Sequence, residues 1–236
     1  MKGVVLTYHF GDHDNLLEPV CSNDWDFLCI TNNTKLDTKK WTVVYVGEDK
    51  LKHLEGDKRK SSGVKIFPDN FLDDLLEKYD YILNIDGNFR VKSDTNLDDL
   101  SEQLLGDSYD IAIREGGHSS IEEEGQKIIE CKRDTSENVE KTITPILKSP
   151  NFDPLNQRLA VSNIILRKNT HKARQFFATW YMLYIGHQSV RDQLTFPFAY
   201  SLIKEVMSKD KEIRFNFFGQ DIVNKFESHP HQKNYD

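Results

Sequence analysis

Apolar positions along the chain follow two rhythms. Short, nearly continuous runs rich in β-branched and aromatic residues occupy Val4 to Tyr8, Asp26 to Ile30, Trp41 to Val46, Val64 to Phe67, Tyr81 to Ile85, Ile111 to Ile113 and Ala160 to Leu166. Their length and texture predict strands covered on both faces. Between them the spacing turns helical. Phe71, Leu72, Leu75 and Leu76 share one face, and Leu97, Leu100, Leu104 and Leu105 another, with Ser93, Asp94 and Thr95 as candidate caps. Val139, Ile143, Ile146 and Leu147 continue the rhythm up to Pro150, and two strongly apolar helices are predicted over Ala173 to Ile185 and Val190 to Met207, with Pro197 in the first turns of the second. Strands alternating with helices predict an α/β fold, a sheet between helices.

Polar stretches punctuate this pattern without dividing it. Glu48 to Ser62 reads as a surface loop or solvated helix face, and Glu115 to Glu137 is long enough to be an insertion over a site. The end, Glu227 to Asp236, carries no core pattern. No repeat or Pro/Gly/Ser linker marks a boundary, so 236 residues are expected to form a single domain over 1–236.

Composition narrows the partners. Lys and Arg total 31 against 38 Asp and Glu, a net charge of -7, which offers no basic field for gripping nucleic acid. An anionic small ligand would need a locally positive pocket or a metal ion. No apolar run reaches the roughly 18 residues of a membrane span, and Met1 to Thr7 lacks the shape of a signal peptide. Cys21, Cys29 and Cys131 form neither a CxxC pair nor a disulfide framework. A cytoplasmic, reducing compartment is the expectation.

The strongest chemical signal is the strand Tyr81 to Ile85 running into Asp86-Gly87-Asn88. In open α/β sheets ligands gather beyond the carboxyl ends of strands, so Asp86 and Asn88 are expected in a cleft. Two hard oxygen ligands there could share Mg²⁺ or Mn²⁺ with diphosphate oxygens, while Gly87 lets a ligand approach the backbone; the same residues also suit a plain tight turn. A second constellation, Arg191-Asp192-Gln193, opens a predicted helix. Asp192 is either a helix cap or a general base facing the cleft. The cluster His9, Asp12, His13 and Asp14 follows the first strand, and His229 and His231 matter only if the tail folds back over Asp86. His118, Glu122 and Glu123 read as surface residues.

Taken in order, four blocks resemble a little-characterised family of glycosyltransferase-like proteins of plants, microbes and large viruses. Its pattern runs roughly FGxYDxLxxP, a TD or TN pair, a strand ending DxNxxL, and RDQLSF. The matching residues are Phe10 to Pro19, Asp24 to Asn32 ending in Thr31-Asn32, Ile85 to Val91, and Arg191-Asp192-Gln193-Leu194-Thr195-Phe196.

The resemblance implies a GT-A-like, Rossmann-like fold with a mixed, mostly parallel sheet. The donor-binding half would cover about 1–115 and the acceptor half about 116–236. It implies a metal-dependent hexosyl- or pentosyltransferase using a nucleotide-diphosphate sugar, a UDP-sugar by expectation, and a glycan or glycoprotein acceptor, with inversion. Asp86 and Asn88 would hold Mn²⁺ or Mg²⁺, with His229 or His231 completing the shell. Thr7, Tyr8, Thr31 and Asn32 would cradle the nucleoside, Gly87 and Arg191 would face the donor, and Asp192 would be the base. Asn88 stands where a strict DxD motif has a second acid, which weakens metal affinity, and His13 stands where the family often has Tyr. Two other readings remain: a two-metal phosphoesterase built on the His9 to Asp14 cluster, and a nucleotide-sugar-binding module without turnover.

Overall fold

A computed structural model describes residues 2–11, 16–21, 24–206 and 212–230. Six of the seven expected strands form, and all six join one sheet. The strands are β1 (Gly3–His9), β2 (Asp26–Thr31), β3 (Thr42–Tyr45), β4 (Tyr81–Ile85), β5 (Phe89–Val91), β6 (Ile111–Glu115), β7 (Ala160–Lys168), β8 (Phe215–Phe218) and β9 (Phe226–Ser228). Seven make up that sheet in the order β3-β2-β1-β4-β7-β6-β8, and β5 pairs with β9 separately. In the large sheet only β7 runs antiparallel to its neighbours β4 and β6. The sheet is therefore mixed and mostly parallel, as expected.

Alternation along each strand divides the core in two. Val4, Leu6 and Tyr8 of β1, Ile30 of β2 and Ile82 of β4 face one cluster; Val5, Cys29, Leu83 and Ile85 face the other. Each fully buried Val, Leu or Ile contributes roughly 1.5–3 kcal/mol. The first face is covered by α1 (Glu48–Leu51), α2 (Asp57–Ile66), α6 (His171–Gly186) and α7 (Phe196–Val206), the second by α3 (Leu97–Leu104), α8 (Gln220–Val223) and two tryptophans, Trp25 and Trp41. A third cluster joins α4 (Ile121–Glu130) and α5 (Ser136–Leu147) to Leu194.

Several expectations change. Val64 to Phe67 is no strand: it is the buried last turn of α2, where Gly63, Val64, Lys65 and Ile66 are all buried. A four-residue apolar run has no period of its own to tell the two apart. Phe71 to Leu76 forms 3-10 turns over Pro68–Asn70 and Asp73–Leu76 in place of a helix. The cap of α3 is Asn96, whose side chain accepts from the amides of Asp98 and Asp99. Pro197 is the second residue of α7, where its missing N–H costs nothing. Strand β7, from the second half of the sequence, is wedged between β4 and β6, so both halves share one sheet.

Strand β1 is pinned at its start by Trp25, whose indole N–H reaches Asp98 Oδ1 at 3.0 Å. A Cβ on Gly3 would lie 2.2 Å from the Trp25 ring. Gly3→Ala is expected to lower stability by about 1–3 kcal/mol, as overpacking does, with urea unfolding as the readout.

Candidate functional site

The carboxyl ends of β1 and β4 meet the beginning of β7, which reaches the same edge because it runs the other way. Here a cavity of about 320 Å³ opens between the end of β1 and the residues that follow it (Tyr8 to Gly11), Asp86 to Phe89, the start of β7 and the Arg191 to Gln193 turn. Helix α2 supplies one wall with Asp57, Lys58, Ser61, Ser62 and Lys65, spaced so that one helical face looks into the cavity. A larger open groove of about 850 Å³, between residues 150–158 and α7, shares no lining residue with it.

At the heart of the cavity lies Lys65. Its ammonium donates to Asp86 Oδ1 at 3.0 Å and to Ser162 Oγ at 3.0 Å, and stands 3.5 Å from Asp192 Oδ2. The Lys65 and Asp192 side chains are 8% and 5% exposed, so the ion pair is shielded from water, while Asp86 at 33% still faces the cavity. Burial opposes charge on Lys65, but Asp192 and Asp86 outweigh it and hold the ammonium above its ordinary range. Burial likewise opposes charge on Asp192, and Lys65, the Ser162 hydroxyl and Arg191 overcome it, keeping that carboxyl below the usual carboxylate range. The two shifts agree: both groups are charged at neutral pH.

This constrains the chemistry. Ser162 between a lysine and an acid has the makings of a serine nucleophile with a lysine base, but a raised lysine holds its proton and cannot take one from a hydroxyl. Asp192 is equally tied down. Oδ2 accepts from Ser162 Oγ at 2.6 Å and Oδ1 from the Gln193 amide at 3.0 Å. A general base works best with a free lone pair and a proton affinity near the working pH. Asp192 has a lowered proton affinity and much of its lone-pair capacity engaged, an arrangement that suits a charge anchor better than a base. Its carbonyl is fixed as well, accepting from Trp180 Nε1 at 3.2 Å and Thr195 Oγ1 at 3.0 Å.

The other expected residues divide. Asp86, Gly87, Asn88, Tyr8 and Arg191 line the cavity. The Tyr8 hydroxyl points away from it, donating to Asn84 Oδ1. Thr7 is fully buried and lies beneath Gly87, its Oγ1 3.9 Å from where a Cβ on that glycine would be. Thr31 is fully buried too, donating to the His9 carbonyl, and Asn32 turns outward to Glu48 Oε1 at 2.7 Å. Thr7, Thr31 and Asn32 thus do not line this cavity: strand-end position put them near the edge, but Thr7 and Thr31 are buried and Asn32 faces outward. Asp12, His13, Asp14 and His231 lie outside the described residues. Lys65 and Ser162 were the residues missed.

A divalent ion has a modest donor set to use. The second oxygen of Asp86 has no hydrogen-bond partner among the described residues, and Asn88 Oδ1 is a buried acceptor without one. The Asn88 amide nitrogen donates to the His229 carbonyl at 2.9 Å, and the His229 ring lies 3.0 Å from Glu227 Oε1. No cluster of three or more His, Cys, Asp or Glu gathers among the described residues. Two oxygens suit a hard ion that takes its remaining ligands from phosphate and water. No described helix is long and apolar enough to cross a membrane.

No family model matches the chain, and no curated protein does. Among solved structures it is similar to mouse xyloside xylosyltransferase 1 in its apo form, at 10% identity and a TM-score of 0.45, over 92% of this chain and 85% of that one. It is also similar to the galactosyltransferase LgtC in complex with donor and acceptor sugar analogs, at 11% identity and a TM-score of 0.43, over 84% and 70%. Nothing about chemistry follows from likenesses this remote.

Two outcomes are expected from the buried charges. Lys65→Met leaves Asp192 without its cation and should cost about 3–5 kcal/mol in urea unfolding. Because Asp192 binds its proton less readily when folded than its ordinary 3.8, the unfolded chain takes up more protons in acid. The wild-type protein should hold its stability above the ordinary carboxylate range and lose it as pH falls through and below it, and Asp192→Asn should flatten that fall.

Proposed function

We propose that this protein is a glycosyltransferase that moves a sugar from a nucleotide-diphosphate sugar to a hydroxyl acceptor, its two halves acting as one domain. The observation that carries this reading is convergence. The Asp86-Gly87-Asn88 block and the Arg191-Asp192-Gln193 block, far apart in sequence and matched in order to one family pattern, line the same strand-end cavity. They meet around a buried ammonium.

The charge in the cavity suits that chemistry. As the bond between the anomeric carbon and the phosphate oxygen breaks, negative charge grows on the diphosphate, and the fixed Lys65 ammonium is placed to stabilise it with little reorganisation. Asp192 and Ser162 hold Lys65 in position; Asp86 shares it with the cavity. A Cβ on Gly87 would meet the Tyr8 carbonyl at an ordinary 3.5 Å, so the space beside Tyr8 does not itself require glycine. Asp86 and Asn88 would hold Mn²⁺ or Mg²⁺, which when bound supplies further positive charge against the diphosphate. A uridine nucleotide and a glycan or glycoprotein acceptor follow from the sequence resemblance.

A phosphoesterase is disfavoured on one observation. Two-metal hydrolysis needs several acids and histidines around paired ions, and of the groups lining the described cavity, His9, Asp57, Asp86 and Asp192, both Asp86 and Asp192 already share the Lys65 ammonium.

Calorimetric titration of UDP with Mn²⁺, alongside rates of UDP-sugar turnover, tests the assignments. Asp86→Ala should weaken Mn²⁺-dependent UDP binding at least tenfold. Asp192→Asn should weaken UDP binding and turnover together, because it frees Lys65. Turnover falling with UDP affinity intact would restore Asp192 as a base, and absence of any UDP binding by the wild type would overturn the reading.

A further inference from the structure

Beyond the Lys65 group, the cavity carries a second set of positive charges. Arg133 and Arg191 both line it. They come from segments distant in sequence, and a carboxylate joins those segments: Asp134 Oδ2 accepts from Ser189 Oγ at 2.7 Å and from the Val190 amide at 2.9 Å. The clamp thus binds the residue after Arg133 to the residue before Arg191. From the α2 wall, Lys58 Nζ donates to the Arg133 carbonyl at 2.9 Å and fixes the same loop.

Neither guanidinium is ion-paired among the described residues, although Arg191 helps hold the adjacent Asp192 carboxyl charged. Among the described residues no carboxylate lies within ion-pair distance of Arg133 or Arg191. Arg191 reaches only the Gln193 amide oxygen, at 3.1 Å, and its Nε is buried with no partner. Asp134, the nearest acid in sequence, has both oxygens engaged, by the clamp and by Asn138 and Thr135. Burial and the nearby Arg191 hold Lys58 down to about 8, which reports how crowded with positive charge this corner is. Asp57 is the remaining acid of the lining, at the start of α2 and packed where a Cβ on Gly11 would fall.

The geometry points to a second anion receptor, formed by Arg133 and Arg191, that recognises a phosphate or carboxylate group on the acceptor substrate. This rests on the glycosyltransferase reading for the word acceptor; the receptor itself rests on the two arginines. Planar guanidinium groups take oxyanions through paired hydrogen bonds, and among the described residues neither arginine has a carboxylate within ion-pair distance, so donors remain for an entering anion even though Asp192 lies beside Arg191. At its Arg133 end the receptor stands apart from the donor diphosphate, while Arg191 adjoins Asp192 beside Lys65. Lys58, which fixes the Arg133 loop, is two helical turns, about 10.5 Å along α2, from Lys65 at the diphosphate position. Arg133 is exposed at the cavity rim, whereas Lys65 and Asp192 are buried at its floor.

Calorimetry on the protein saturated with UDP and Mn²⁺ tests this, with inorganic phosphate and glucuronate as probes. Wild type should bind at least one of them, and Arg133→Ala should weaken that binding tenfold or more while UDP affinity changes less than twofold; Arg133→Lys should recover part of it. Tighter binding of phosphate identifies a phosphorylated acceptor, tighter binding of glucuronate an acidic sugar. An equal loss of UDP and probe affinity in Arg133→Ala would assign the arginine to the donor and overturn the inference, as would failure of both probes to bind. Should UDP itself not bind, the glycosyltransferase reading falls, and phosphate binding to the free protein, lost in Arg133→Ala with an unchanged melting temperature, still decides the receptor.

Discussion

A single ammonium, that of Lys65, ties together distant parts of the chain at one sheet edge. It joins the last turn of α2 to the end of β4 through Asp86, to the start of β7 through Ser162, and to the turn before α7 through Asp192. Buried ion pairs add little net stability compared with apolar residues of the same volume, yet breaking one is costly. The arrangement is therefore a poor device for holding the fold together. It suits holding an ammonium, shared between two carboxylates, at a strand edge where water is scarce and Asp86 still faces the cavity.

Strand direction explains why that place exists. β1 and β4 point their carboxyl ends at the cavity, and antiparallel β7 brings its beginning to the same edge. The aromatic packing of α6 against α7 then fixes the Asp192 turn from behind, with Trp180 N–H on the Asp192 carbonyl. The rim is built separately, by the Asp134 clamp, and carries charge of the same sign. A negatively charged protein has thus gathered lysines and arginines around one hollow, with the acids there either anchoring or shared.

Much of this was legible in the sequence because two-sided burial writes itself as continuous apolar runs. The runs at Val4, Asp26, Trp41, Tyr81, Ile111 and Ala160 became strands, and the acid after Tyr81 to Ile85 reached the cavity. Lys65 was hidden because Val64 to Phe67 imitates a strand; the polar stripe of Lys58, Ser61, Ser62 and Lys65 at helical spacing was the signal that could have revealed it. Ser162 was hidden because a sequence does not state which way a strand runs, and only a reversed β7 puts its first residues at the ligand edge. Thr31 and Asn32 show the converse: strand-end position was right, but one side chain turned inward and the other outward. Asp192 reaches the cavity as expected, while the contacts it makes there with Ser162 and Lys65 are ones that no local pattern displays.

The most direct measurement of the central claim is an experimental structure of the protein with UDP and Mn²⁺. The account predicts diphosphate oxygens within hydrogen-bonding distance, about 3 Å, of Lys65 Nζ and beside Asp86. A nucleotide bound elsewhere, or a cavity left empty at saturating UDP with the Lys65 and Asp86 pair unchanged, would contradict it.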